Sequence, residues 1–273
     1  MLKVRVILGV VAVLLIFGMY QMPRIVVEND VINDAQQLSQ PEDLNEESPE
    51  GHSTTVDAEQ AKIIASLREK LDVERNPKNF VNFADSLGRL YVKASNFDSA
   101  FYYSQKILEA DPGKEGQLTS GLLVYRIFEV TNDPKKAQAL GLRVRNLLEP
   151  IYEETKEESL KIKLGMTYVV TSNPMQGILM IREVLEENPQ NTEALFQLGL
   201  LAVQSGQTEK AIERFEAVLK ITPNDWNSVL YLGISHAELG QVDMAKKYFD
   251  RIMEDSNDPV LLQIASNYLK GIN

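Results

Sequence analysis

The sequence predicts an all-α protein in which similar helix pairs stack side by side into a solenoid. The pairs Leu164-Gly165, Leu198-Gly199 and Leu232-Gly233 follow one another at intervals of 34 residues. Further positions keep the same interval, namely Gly177, Ala211 and Ala245; Ile181, Phe215 and Phe249; Val184, Val218 and Ile252; and Pro189 and Pro223. A fixed period of this length is typical of repeated helix–turn–helix units that bury a shared core only by stacking.

The first element is an apolar N-terminal segment. Val6–Tyr20 is an uncharged run of 15 residues, and Val4–Met22 extends it to 19 at the cost of including Arg5 and Gln21. A membrane span needs about 20 residues, and a signal-peptide core has roughly 7–15, so length alone leaves both open. Residues 17–23 offer no pair of small residues for cleavage. We therefore expect residues 1–23 to be an uncleaved transmembrane helix.

Charge around this segment predicts its orientation. Lys3 and Arg5 precede the apolar core, and Arg24 is the single basic residue between it and Lys62. Because positively charged flanks stay in the cytoplasm, the N-terminus is expected inside and the C-terminal domain outside. In a bacterium this describes a single-pass inner-membrane protein with a periplasmic domain.

An acidic linker is predicted over residues 24–56. From Glu28 to Glu59 the chain carries ten acidic residues and no Lys or Arg, and Pro41, Pro49 and Gly51 interrupt it. Low hydrophobicity combined with charge of one sign does not offset the entropy lost on ordering, so we expect a flexible spacer.

The clearest repeat spans residues 192–225. Apolar and small residues recur at intervals of three and four in its first half, and Gly199 lets the paired helix approach closely. Ser205-Gly206-Gln207 forms the turn, and Pro223 closes the unit because proline cannot continue a helix. The facing stripes consist of Leu195, Leu198, Gly199 and Ala202 on the first helix, and Ala211, Phe215 and Val218 on the second.

These residues resemble the tetratricopeptide repeat family, whose pattern has a large apolar residue, Leu-Gly, a tyrosine-like position, Ala, Phe and Pro at fixed offsets. Unit 158–191 follows it with Lys161 at the large apolar position, and unit 226–259 follows it with His236 at the tyrosine position. The resemblance implies a right-handed superhelix, and it implies a protein-binding function without naming a partner.

The remaining elements complete a solenoid over residues 57–273. A unit at 81–112 keeps the pattern, and a divergent unit at 113–157 has about nine extra residues, with helices expected at 117–130 and 134–152. An additional helix is predicted at 57–72, and a capping helix at 260–270 covers the last repeat.

Composition excludes several functions. A formal charge of −11 argues against nucleic acid, since no basic stripe is available to displace phosphate counterions. The absence of cysteine excludes disulfides, thiol catalysis and cysteine-ligated metals. His52 falls in the linker and His236 in a core column, and no motif for a cofactor, metal or nucleophile occurs. We therefore expect a non-enzymatic protein without cofactor.

The candidate binding site is a concave groove. In such stacks the first helix of each pair lines the concave surface. Here the face of that helix opposite its pairing stripe is apolar over three successive units. The residues are Ile162, Met166, Val169, Phe196, Leu200, Val203, Leu230, Tyr231 and Ile234. One hypothesis is that the groove receives an apolar or amphipathic polypeptide segment. The other is burial against self, through superhelical closure, a homodimer or the additional N-terminal helix.

These features predict a membrane-anchored scaffold or adaptor protein. Two alternatives stay open: a periplasmic assembly or chaperone factor, for example in cytochrome maturation or secretion, and an accessory subunit of an enzyme complex.

Overall fold

The computed structural model describes residues 58–171 and 173–271. The predicted anchor (1–23) and acidic linker (24–56) lie outside the described residues. The described part is entirely helical, without strands. Its helices are α1 Ala58–Val73, α2 Pro77–Lys93, α3 Phe97–Ala110, α4 Lys114–Val130, α5 Pro134–Thr155, α6 Glu158–Val170, α7 Pro174–Glu187, α8 Thr192–Gln204, α9 Thr208–Ile221, α10 Trp226–Glu238, α11 Val242–Asp255 and α12 Pro259–Gly271.

Capping residues set where many of these helices begin. Asn76, Asn96, Asp133, Asn191 and Asp225 each accept a hydrogen bond from a backbone N–H in the first turn. Proline also occupies the first position of α2, α5 and α7, where its missing N–H costs nothing. Local chemistry therefore fixes the repeat boundaries.

Ten of these helices form successive hairpins: α2 with α3, α4 with α5, α6 with α7, α8 with α9, and α10 with α11. Each second helix also packs on the first helix of the next pair. Gly206 and Gly240 in two of the turns have φ of +69° and +71°, a left-handed conformation that glycine adopts without steric cost. The result is a one-dimensional stack of neighbouring pairs.

The Leu-Gly columns lie at close contacts between the two helices of each pair. Phe215 and Phe249 are fully buried. A Cβ added to Gly199 or Gly233 would stand 2.6 Å from the Cε1 atom of the phenylalanine opposite. Glycine recurs because the aromatic ring of the second helix occupies the space of a side chain. The expected all-α solenoid of tetratricopeptide-like repeats is confirmed for the described residues.

The divergent unit takes up its extra residues in its helices. Helix α4 begins at Lys114, three residues before the expected start, and α5 continues to Thr155, three residues beyond the expected end. With 22 residues α5 is longer than the other second helices, and it passes through Pro150. A proline inside a helix removes one backbone hydrogen bond, which the buried neighbours Leu148 and Ile151 offset by packing.

Among the described residues, no helix is long and apolar enough to cross a membrane.

Candidate functional site

The first helices α6, α8 and α10 place two columns of apolar side chains on one face. Met166, Leu200 and Ile234 form the first column, each 34 residues from the next, and all are partly exposed. Val169 and Val203 begin the second column and are also partly exposed. We call the seven partly exposed residues of this face the apolar strip: Met166, Val169, Phe196, Leu200, Val203, Tyr231 and Ile234.

Two residues expected in the groove do not lie at its surface. Ile162 is 0% exposed and shares a buried cluster with Ala194 of α8. Leu230 is 6% exposed and shares a cluster with Leu261 of α12. Both side chains pack towards the first helix of the next pair, so this column joins repeats and is closed to a ligand. The prediction that they line an accessible groove is therefore corrected.

Aromatic packing holds the centre of the apolar strip. The ring centroids of Phe196 and Phe215 are 5.6 Å apart, and those of Phe196 and Tyr231 are 5.8 Å apart in an edge-to-face arrangement. Tyr231 stacks on Phe215 at 5.5 Å. Such pairs contribute beyond simple burial. The strip is consequently a pre-organised surface, because its largest side chains are fixed from below.

A charged group borders the strip. The Lys163 ammonium donates to Glu193 Oε1 at 2.6 Å and to Ser159 Oγ at 2.8 Å. It also lies 5.7 Å from the centre of the Tyr125 ring. These residues link α4, α6 and α8, so the border crosses three successive pairs. Burial raises the pKa of the Tyr125 hydroxyl, and Glu129 and Glu193 raise it further, so this tyrosine stays neutral.

Sequence reasoning missed this border, although a signal for it exists. Lys163 and Glu193 are 30 residues apart, four fewer than the repeat period. Side chains of the same spacing also meet at Asn188 and Glu158, with Nδ2–Oε2 at 3.0 Å. The offset of 30 residues therefore marks side chains of the α7–α8 loop and of α8 that meet α6.

Two deviations from the repeat pattern have structural roles. Lys161, at the large apolar position, reaches α7, where its Nζ lies 3.0 Å from Glu183 Oε2. Burial alone would lower the pKa of Lys161, but the hydrogen bond to Glu183 together with the charges of Glu183 and Glu187 and the Tyr152 side chain raises it overall. His236 is 6% exposed, stacks on Tyr248 and has Nδ1 2.5 Å from Gln241 Oε1. Neither side chain is free to act on a substrate.

The part of the chain that the structure describes contains no group of three His, Asp or Glu side chains that could hold a metal ion. His52 lies outside that part. The candidate site is thus an apolar strip with a charged border at Lys163 and Glu193.

Comparison with known proteins supports this class of fold. A sequence model of the tetratricopeptide repeat matches residues 176–232 and 202–266, which include most of α7 and all of α8 to α11. No curated protein sequence matches the chain. The tetratricopeptide repeat family is therefore supported by the sequence model and by the solved structures that follow.

Three solved structures share the helical stack. A tetratricopeptide repeat protein from Parabacteroides merdae is 14% identical, with a TM-score of 0.53 over 77% of this chain and 79% of that one. PilW, a type IV pilus biogenesis factor, is 16% identical, with a TM-score of 0.51 over 75% and 90%. A signal transduction ATPase with a tetratricopeptide repeat sensor, from Pyrococcus horikoshii, is 18% identical, with a TM-score of 0.50 over 78% and 36%. At these identities the likeness concerns the fold alone.

Proposed function

We propose that this protein is a non-catalytic scaffold or adaptor that holds a polypeptide segment on the concave apolar strip. Tetratricopeptide repeat proteins generally mediate protein–protein interaction. The observation that carries the proposal is the run of Met166, Leu200 and Ile234, which are partly exposed at the same column of three successive pairs. A groove that met only water would carry polar side chains there.

The ligand is an amphipathic segment. Its apolar side contacts the strip, and its polar side meets the border formed by Lys163 and Glu193. Lys163 and Glu193 are already paired with each other at 2.6 Å. The border therefore contributes more to the orientation of the bound segment than to its affinity. An extended or helical segment with apolar residues at regular spacing fits two columns of side chains that recur every 34 residues over three successive pairs.

The N-terminal segment adds a membrane tether to this function. The apolar run Val6–Tyr20 and the positive charges of Lys3 and Arg5 support a single-pass inner-membrane anchor with the repeats in the periplasm. A tether raises the local concentration of the groove near membrane-bound partners without any new contact.

Photo-crosslinking in intact cells tests the groove. A photoreactive residue is placed at Leu200 in the full-length protein, and a matched one at Leu179, which is 49% exposed on the second helix α7. We expect a crosslinked partner from position 200 that is absent from position 179. Met166→Glu should abolish it, because a carboxylate at the neighbouring point of the same column opposes an apolar ligand.

Two outcomes would reject the proposal. One is equal crosslinking from both positions, and the other is crosslinking from position 200 only to a second copy of this chain, which would support the self-buried groove. A thermal melt of Met166→Glu confirms that any loss of partner is not a loss of fold.

An assembly or chaperone factor is the second candidate, favoured by the apolar character of the strip. It is distinguished by the identity of the crosslinked proteins. Many unrelated unfolded or membrane-derived segments indicate a chaperone, and one folded partner indicates an adaptor.

A further inference from the structure

Helix α12 is a first helix that lacks a second helix. It packs on α11 and α10 in the way that α4 packs on α3 and α2. Counted from the helix start, Leu262, Ser266 and Leu269 stand where α8 carries Leu195, Gly199 and Ala202. All three α12 side chains are partly exposed. No helix of the described residues covers this face.

Helix α1 is the reverse case, a second helix without a first helix. Its Ile64 and Leu71 are buried against α2. Ile63 and Leu67 precede the start of α2 by 14 and 10 residues, as Ala245 and Phe249 precede the start of α12. Unlike Ala245, which is 0% exposed, Ile63 is 46% exposed, on a shallow depression that also contains Lys70.

The sequence directly before α1 does not carry the apolar spacing of a first helix. Residues 43–55 contain one large apolar residue, Leu44, together with Pro49 and Gly51. A helix with the spacing of a first helix and an uncovered face is present among the described residues at the other end of the repeat array, in α12.

One pair of opposite charges would meet at the junction of the two ends. Helix α1 contains three basic and three acidic residues, so its own net charge is zero, and Lys70 is the basic residue of its last turn. In an antiparallel hairpin the end of the second helix lies beside the start of the first. This would bring Lys70, in the last turn of α1, next to Asp258, the residue before α12. Opposite charges at matching ends steer copies into this orientation.

We propose that copies of this protein associate head to tail, with α12 of one copy and α1 of the next forming a composite repeat. A contact between two different surfaces of the same molecule leaves one of each free and therefore continues into a chain or a ring. At the position where α11 carries Phe249, α1 carries the smaller Leu67. This leaves room for Ser266 of α12, which stands where α8 carries Gly199. At the position where α11 carries Ala245, α1 carries the larger Ile63. Its side chain widens the composite hairpin, so the association is weaker than packing within a complete pair.

Cysteine crosslinking tests the composite repeat, because the chain contains no cysteine of its own. Full-length Ile63→Cys and Ser266→Cys, carrying tags of different size, are co-expressed and oxidised. The equivalent residues of a complete pair are Gly177 and Gly165, and a Cβ added to Gly177 would stand 2.2 Å from the Gly165 carbonyl oxygen. Such proximity is within reach of a disulfide. The matched control pairs Ile63→Cys with Glu213→Cys, an exposed position on α9.

We expect a mixed disulfide dimer from the Ile63 and Ser266 variants in several-fold excess over the control pair. Its yield should fall modestly as salt is raised, because screening weakens the attraction between Lys70 and Asp258. Met166→Glu in the groove should leave the yield unchanged, which separates this proposal from the proposed function. Equal yields in the two pairs would overturn it, as would a dominant Ile63→Cys homodimer, since that product reports a symmetric contact.

Sedimentation velocity of the cysteine-free protein gives an independent measurement. We expect the average mass to rise with concentration for the natural sequence and to rise less for Ile63→Glu, whose site is exposed and tolerates a charge. A mass that does not depend on concentration in either protein would overturn the proposal.

Discussion

At the scale of single residues, the glycines of the repeat are distinguished by the space around them. A Cβ on Gly177 would stand 2.2 Å from the Gly165 carbonyl oxygen and 2.8 Å from the backbone nitrogen of Val169. Overpacking of this kind costs about 1–3 kcal/mol, which exceeds the roughly 1 kcal/mol that alanine gains over glycine in a helix. We expect Gly177→Ala to lower the free energy of unfolding by about 1 kcal/mol, measured by urea denaturation.

Gly141 provides the matched control. It is also buried inside a helix, α5, but a Cβ there would meet its nearest neighbours, including Phe128 and Thr167, at an ordinary 3.5 Å. Gly141→Ala should therefore be neutral or stabilise by up to about 1 kcal/mol. If both variants lose the same stability, close approach is not the reason for glycine at Gly177.

For Lys161 we predict a substitution that raises the free energy of unfolding. Its side chain is 14% exposed, whereas its partner Glu183 is 54% exposed and would be solvated after the ion pair is removed. Replacing a largely buried charge by an apolar residue is often stabilising when the partner can return to water. We expect Lys161→Leu to raise the free energy of unfolding by about 1 kcal/mol.

Lys161→Ala serves as the comparison, since it removes the ion pair without filling the space. It should be destabilising in the same urea titration. A destabilised Lys161→Leu would show that the ion pair contributes more than apolar packing at this column. The sequence identified Lys161 as a departure from the pattern, but it did not identify its partners Glu183 and Glu187, whose carboxylates lie 3.0 Å and 3.9 Å from Lys161 Nζ. Such partners depend on side-chain placement across two helices.

At the scale of helices, a carboxylate ties the loop before α8 to the start of α6. Glu158 Oε2 accepts hydrogen bonds from the side-chain amides of Asn188 at 3.0 Å and Asn191 at 2.6 Å. These bonds, the one from Asn188 first, lower the pKa of Glu158 below its ordinary 4.5. Its contribution to stability is consequently present above pH 4.5 and is lost as the pH falls through the lower pKa of the folded state.

We expect the melting temperature of Glu158→Gln to lie below that of the natural sequence at neutral pH, and the difference to shrink well below pH 4.5. Thermal melts across this range measure it, with Glu186→Gln, at an exposed position of α7, as the control. A difference that grows towards acid pH would contradict the assigned hydrogen bonds.

The helices also show which parts of the fold and of the site could be predicted from the sequence. The column of Met166, Leu200 and Ile234 follows from a repeat period alone. Ile162 and Leu230 were misplaced because helical periodicity reports the face of a side chain but not the neighbour that covers it. The end of α5 was expected three residues early, since no apolar residue follows Tyr152 to mark a further turn, whereas the helix continues to Thr155.

At the scale of the whole molecule, stability is distributed along a line. Each pair contacts its neighbours, so the terminal helices α1 and α12 have packing on one side and the central pairs have it on both. At low protein concentration we expect amide hydrogen exchange to be faster in α1 and α12 than in α6 and α8.

At high concentration the head-to-tail contact should slow exchange in α1 and α12 together and leave the central helices unchanged. Ile63→Glu should remove this dependence on concentration. Protection that changes in α1 but not in α12 would be inconsistent with a composite repeat, because the two helices form one hairpin and must be protected as a unit.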